Sequence, residues 1–140
     1  MDFNIFLEVH PVYEPSYHSP PIISYGYGDS ANWTSRSISE SFQVSDVTTL
    51  HFYGTEDSVW IKFLNKDPGR DTVVDKGWDK ALEIKNITVE GFTNDALQYN
   101  GSFMGSPTNY LTFNDVWRYE FTLPIFTWIH KKCNFGWIFY

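Results

Sequence analysis

The chain has 140 residues, enough for one domain with a buried core, and 19% of its residues are aromatic. Its formal charge of −7 argues against nucleic-acid binding, because Lys and Arg on phosphates supply most of that affinity. A single cysteine excludes an intramolecular disulfide, and no apolar run approaches the roughly 20 residues that cross a membrane.

Residues 1–35 hold four of the seven prolines. Proline fixes φ and biases the preceding residue towards extended conformations, which disfavours a helix here. Disordered tails are usually poor in aromatic residues, so the tyrosines of this segment favour an extended arm, docked on a surface, over a mobile tail. The interface residues predicted in this arm are Tyr13, Tyr17, Tyr25 and Tyr27.

From about residue 36 apolar and polar residues alternate with a period of two, which is typical of strands with one buried face. A slip in parity between Ile84 and Ile87 indicates a bulge or bend. Short strands separated by turn residues predict an all-β fold over residues 36–140, an antiparallel β-sandwich or jelly roll. The expected strands lie near 37–44, 48–53, 58–64, 80–89 and 116–122.

One segment near the C-terminus has features of a short helix. Thr122 can cap, Pro124 suits a first helical turn, and the basic residues from His130 to Lys132 suit a last turn. Thr127 and the aromatic residues favour a strand equally well. We therefore expect at most one short helix, confined to about 123–132.

A polar loop with four aspartates separates two of the expected strands, over residues 64–79. Loops with several carboxylates and an amide can bind Ca²⁺ through oxygen ligands, although this spacing is not that of an EF-hand. The alternative is a solvated turn in which Asp67 and Asp79 cap or form Asx-turns.

The loop and the strands around it carry a resemblance to a known family. The stretch from Val59 to Asp67, followed by Asp79, Leu82, Ile84, Ile87, Val89 and Gly91, resembles the calcium-dependent, xylan-binding class of carbohydrate-binding modules. The resemblance implies a β-sandwich whose calcium lies at this loop, with Asn65, Asp67 and Asp79 as candidate ligands and Trp78 available to stack on a sugar. Because Arg70 and Lys80 add positive charge, a retained scaffold without the metal is the alternative.

A second resemblance lies further along the chain. The segment from Leu111 to Phe121, followed by Pro124 and Trp128, is similar to C-terminal stretches in structural proteins of tailed phages, notably of marine and cyanobacterial hosts. This implies a virion structural protein (a head-decoration, neck or tail component) that assembles with other virion proteins as a homo- or hetero-oligomer, with glycan adhesion as a further property. The alternative is a soluble calcium-dependent carbohydrate-binding module.

Both ends of the chain bear on that choice. Four of the last six residues are aromatic, and a terminus of this kind implies burial in the chain's own core or in a partner. The N-terminus lacks the regions of a signal peptide, whereas sugar-binding modules usually carry secretion signals and linkers. These features favour the virion interpretation, with Phe135, Trp137 and Phe139 as further interface residues.

Catalysis is not expected. A nucleophile, a base and an orienting group must meet, and the four histidines, His10, His18, His51 and His130, are each interpreted as structural. His130 and Cys133 have the spacing of half a metal site, but no second pair completes it.

Overall fold

The protein is described by a computed structural model that covers residues 3–29, 34–38 and 41–133, with side chains for 3–28 and 41–133. Strands are the commonest elements among these residues, which also form three short helices and a 3-10 turn. The strands are β1 Phe3–Val12, β2 Ile22–Asp29, β3 Thr34–Ile38, β4 Phe42–Gln43, β5 Thr48–Gly54, β6 Ser58–Phe63, β7 Ala81–Val89, β8 Ser102–Phe103, β9 Tyr110–Leu111 and β10 Val116–Glu120. The helices are α1 Pro68–Asp71, α2 Asp95–Gln98 and α3 Ile125–Cys133, with the 3-10 turn at Val74–Lys76.

The strands form two antiparallel sheets that face each other. Sheet 1 has the order β5-β1-β7-β9, and sheet 2 has the order β3-β2-β6-β10-β8, with β4 pairing to β2. Alternate residues of each strand point into the space between the sheets, because successive side chains of a strand lie on opposite faces. The predicted all-β sandwich is therefore confirmed, and so is its short helix near the C-terminus, α3.

The core lies between the sheets and is almost entirely apolar. From sheet 1 the residues Phe3, Ile5, Leu7 and Val9 are fully buried, and from sheet 2 they meet Ile23, Ile61, Phe63, Trp117 and Tyr119. Each such side chain contributes roughly 1.5–3 kcal/mol when it leaves water. The core is therefore built from the N-terminal strand as much as from the later ones.

The prediction of an extended N-terminal arm is wrong for the described residues. β1 lies between β5 and β7, and β2 lies between its neighbours β3 and β6, so both strands belong to the sandwich. The prolines do not prevent this, because they lie between residues 11 and 21, at the end of β1 and in the connection to β2. The boundary expected at residue 36 does not separate two domains.

The other strand predictions differ in accuracy. The expected strand over 37–44 is instead the two short strands β3 and β4, whereas the remaining four agree with β5, β6, β7 and β10 to within one or two residues. The expected irregularity in β7 is also present. The pairing of β1 with β7 shifts register there, and Asn86 adopts a positive φ of 54°.

Candidate functional site

The acidic loop connects β6 to β7 and folds back on itself. Pro68 starts the single turn of α1, and the N–H groups of Arg70 and Asp71 donate to the carbonyl of Asp67 at 3.0 and 2.7 Å. Val73 and Trp78 then form an isolated antiparallel bridge, closed by Gly77 at a φ of 68°. The loop lies against the connection between β1 and β2, since the Tyr17 hydroxyl donates to the Arg70 carbonyl at 2.7 Å.

Two buried ammonium groups lie inside this loop. The Lys66 side chain is 2% exposed, and its Nζ donates to the Asp79 carboxylate and, at 2.6 Å, to the Lys80 carbonyl. The Lys80 Nζ donates to Ser19 Oγ at 3.2 Å and lies 3.7 Å from Asp71 Oδ2. Lys66, Asp71, Asp79 and Lys80, here named the loop cluster, thus pair two positive with two negative charges.

Asp79 is held in its ionised form. Desolvation by burial raises its pKa, but hydrogen bonds from Lys66, from the Thr72 hydroxyl and from the Lys80 N–H outweigh that effect, so the net pKa is below the ordinary value. The Thr72 and Lys80 bonds to Asp79 Oδ1 measure 2.9 and 2.8 Å. The Asp79 oxygen Oδ1 is therefore engaged by three donors of the chain itself.

The predicted calcium ligands do not form one set. The Asn65 amide accepts from the Ile22 N–H at 2.7 Å and donates to the Pro20 carbonyl at 3.0 Å, so it holds the chain before β2. Asp67 is exposed, and Asp79 belongs to the loop cluster. Within the described ranges no group of three His, Cys, Asp or Glu residues is arranged to hold a metal. Calcium binding at this loop stays a prediction.

Trp78, the predicted sugar-stacking residue, packs within the chain. Its ring centroid lies 5.4 Å from that of Tyr17, and Lys76 Nζ lies 4.7 Å from the ring. A cation at this distance from an indole is attracted by the ring's quadrupole. A sugar would have to compete with these two neighbours.

A cavity of about 290 Å³ opens beside the loop cluster, lined in part by Asn65, Asp67 and Arg70. Its wall includes His18, which is 6% exposed. The Glu14 N–H donates to His18 Nδ1 at 2.9 Å, so Nε2 carries the proton and donates to the Asp71 carbonyl at 2.7 Å. His18 thus closes a turn within the β1–β2 connection through Nδ1 and joins this connection to the loop through Nε2.

A group of exposed rings lies elsewhere, on the outer face of sheet 1. Phe6 of β1 stacks on His51 of β5 with centroids 4.0 Å apart and planes within 5°, and His51 lies 5.0 Å from Tyr53. Phe6 is 43% exposed and Tyr53 is 62% exposed. We name these three residues the aromatic strip. Sequence reasoning missed it, although the alternation of Phe6 with buried Ile5 and Leu7 was available.

The predicted interface tyrosines make contacts inside the chain. Tyr25 and Tyr27 point inwards from β2 and pack against the core, where their rings lie 5.2 and 5.7 Å from that of Phe52. Tyr13 is half-buried and donates to the Ser45 carbonyl at 3.1 Å. Their positions follow from the sandwich, so they do not project from an arm, and a role at an interface with a partner stays a prediction.

The other interface predictions, Phe135, Trp137 and Phe139, lie outside the described residues. In the part of the chain that the structure describes, no helix is long and apolar enough to cross a membrane.

Comparison of the chain with protein-family models, with curated proteins and with solved structures gives no match. The resemblances to carbohydrate-binding modules and to phage structural proteins therefore depend on the short motifs quoted above. What this chain does has to be argued from its own surface.

Proposed function

We propose that the chain is a non-catalytic structural protein that acts by protein–protein binding, as a component of a virion. The observation that carries the binding role is the aromatic strip of Phe6, His51 and Tyr53. The virion setting is supported by the resemblance of residues 111–128 to phage structural proteins, and it is part of the proposal.

The aromatic strip has the properties of a contact surface. Single exposed apolar residues are common on proteins, but contiguous patches mark interaction sites. Aromatic residues are also enriched where proteins meet. Here adjacent strands fix the rings in register, since Phe6 is paired with His51 and Asn4 with Tyr53. Because the rings already stack on one another, little side-chain entropy remains to be lost when a partner covers them.

The alternative of a calcium-dependent carbohydrate-binding module has less support. Its implied ligand Asp79 has Oδ1 engaged by three donors. Its implied sugar platform Trp78 is in contact with Tyr17 and Lys76. Protein–protein binding requires neither group to be free, so the loop is better explained as a structural element that stabilises the sandwich.

The proposal is tested by incorporation into particles. A tagged chain is produced in the infected source cells, and purified particles are analysed for the tag by immunoblotting and electron microscopy. We expect the wild-type chain in the particles and a strong loss for Tyr53→Ser. The matched control is Tyr99→Ser, because Tyr99 is 72% exposed but lies at the end of α2, outside the aromatic strip.

Two results contradict the proposal. One is a wild-type chain that stays out of the particles. The other is a folded Tyr53→Ser chain that enters particles as well as Tyr99→Ser does. Melting curves of both variants, compared with wild type, establish that each chain is folded.

A further inference from the structure

We propose that the free edge of β5 is a strand-addition site that takes an extended, basic segment of a partner protein. This inference rests on the proposed function and names the surface and the chemistry of the partner. Among the described residues, β5 is the outermost strand of sheet 1 and pairs on one side only, with β1. The aromatic strip lies directly beside this edge.

The direction of the backbone groups of β5 follows from one hydrogen bond. The Tyr53 N–H donates to the Tyr27 hydroxyl at 3.2 Å, so it points away from β1. In an antiparallel pair, residues whose N–H and C=O point to one side alternate with those that point to the other. Thr49 and His51 therefore also point away from β1. In the described part of the chain, no residue hydrogen-bonds to the backbone groups of these two.

This edge lacks the features with which proteins prevent strand pairing. Edges are usually blunted by short strands, lysine, proline or β-bulges. β5 spans Thr48–Gly54 without a proline or a charged residue, and its pairing with β1 continues over seven residue pairs without a register shift. By contrast, the edge strands β8 and β9 have two residues each, and the pairing of β3 with β2 has a register shift.

The charge around β5 indicates which kind of partner segment would bind there. Exposed Asp46 precedes β5, Glu8 lies opposite Thr49 on the neighbouring strand, and residues 41–61 contain no Lys or Arg. A basic segment is therefore attracted to this edge, and it gains further from cation–π contact with exposed Tyr53.

A second copy of the chain is a poorer occupant. Each copy carries a formal charge of −7. Two copies that pair through β5 would bring these like charges together, and like charges disfavour association.

Side-chain recognition follows from the two faces of the added strand. Residues on one face would lie beside the aromatic strip, and residues on the other would lie at the rim of the core, near Phe52 and half-buried Tyr27. The expected partner segment alternates basic and apolar residues, because successive side chains of a strand point to opposite faces.

The test uses a labelled peptide of about eight residues, near the usual strand length, with alternating valine and lysine. Fluorescence anisotropy measures its affinity for the full chain. We expect binding about tenfold or more tighter than that of a valine–glutamate peptide, and than that of the valine–lysine peptide N-methylated throughout, which cannot donate backbone hydrogen bonds. Amide chemical shifts of Thr49 and His51 should change the most.

Two variants of the chain make a matched pair. Thr49→Pro removes an outward N–H that no described residue uses, a position where edge strands tolerate proline. Thr49→Val keeps this N–H. We expect Thr49→Pro to weaken valine–lysine peptide binding about tenfold and Thr49→Val to leave it unchanged. If Thr49→Pro does not fold, the comparison with the N-methylated peptide decides.

Equal binding of the three peptides, or equal binding by two folded Thr49 variants, would overturn the inference. So would light scattering that shows a dimer which Thr49→Pro dissociates, because the edge would then belong to a second copy. Particle incorporation separates the two proposals. If the wild-type chain enters particles but the peptides do not discriminate, the strand-addition site is wrong and the protein-binding role stands.

Discussion

The loop cluster makes a strong prediction about one buried lysine. Lys66→Met keeps an unbranched side chain of similar length but removes the ammonium. It takes one charged donor from the Asp79 carboxylate and leaves the Lys80 carbonyl without the bond that measures 2.6 Å. A hydrogen bond to a charged group contributes about 1.5–3 kcal/mol, and a buried group left without its partner costs about 1–3 kcal/mol.

The expected loss lies below the sum of these two ranges. Asp79 keeps its bonds from Thr72 and from the Lys80 N–H, and 34% of its side chain is exposed, so water can replace part of what is lost. We therefore expect Lys66→Met to lower the free energy of unfolding by about 2–4 kcal/mol. That is a large part of a typical stability of about 5–15 kcal/mol.

The assay is urea unfolding followed by tryptophan fluorescence, with Lys85→Met as the matched control. Lys85 also pairs with a carboxylate, Glu83, at 3.3 Å, but the two side chains are 48% and 40% exposed. Exposed pairs contribute about 0.2–1 kcal/mol, so the control should be nearly silent. If Lys66→Met were as harmless as Lys85→Met, the loop cluster would not be a structural element of the fold.

A double-mutant cycle separates the pair from its surroundings. Asp79→Asn preserves the shape of the side chain and leaves the Lys66 ammonium buried without its carboxylate. The double variant should therefore lose less free energy of unfolding than the sum of the two single losses, with a coupling of about 0.5–3 kcal/mol. Additive losses would mean that the two groups stabilise the loop independently.

Three further predictions concern the metal, acid and the core. Neither calcium at about 1 mM nor EDTA should change the melting temperature. A functional site would instead raise the free energy of unfolding by about 2.7 kcal/mol when the calcium concentration is a hundred times its Kd. Because the Asp79 pKa is lowered, its carboxylate stabilises the fold fully above about pH 3.8, and urea unfolding should show this contribution being lost as the pH falls below that value. Gly101→Ala would place a Cβ 2.3 Å from the Trp117 ring and should lower the free energy of unfolding by about 3 kcal/mol or more. The control is Gly69→Ala, whose Cβ would meet only Asp67 Oδ1, at 3.8 Å, and which should be close to neutral in thermal melting.

The strands of the sandwich can be predicted where apolar and polar residues alternate along the sequence. β5, β6 and β10 show apolar residues at every second position, β7 does so on either side of its register shift, and the sequence predicts each of the four to within one or two residues. β1 has the same signal, with Ile5, Leu7 and Val9 buried and the residues between them outside. The prediction of an arm misses it, because the prolines lie only between residues 11 and 21 and not along the whole segment from residue 1. Proline acts on its own position and the one before it, so it carries no information about a strand that starts eight residues earlier.

The contacts of the candidate site are harder to obtain from sequence. Lysine is almost never fully buried unless it is paired, so nothing in the sequence marks Lys66 and Lys80 as interior residues. Their partners are fixed by the path of the loop and by the connection between β1 and β2, which brings Ser19 to Lys80 across 61 positions. The aromatic strip likewise needs the register of β1 against β5, which pairs Phe6 with His51.

The loop cluster holds the acidic loop together with charged groups of the chain itself. Calcium is bound by six to eight oxygen ligands, typically at about 2.3–2.6 Å, and it compensates the carboxylates around it. In this chain, Lys66 and Lys80 supply two positive charges against Asp71 and Asp79, and their N–H groups reach the Lys80 and Asn65 carbonyls at 2.6 and 3.3 Å. These charged groups bond to one another inside the chain, so a binding role has to come from surfaces that remain accessible. Among the described residues, the aromatic strip and the edge of β5 have that property.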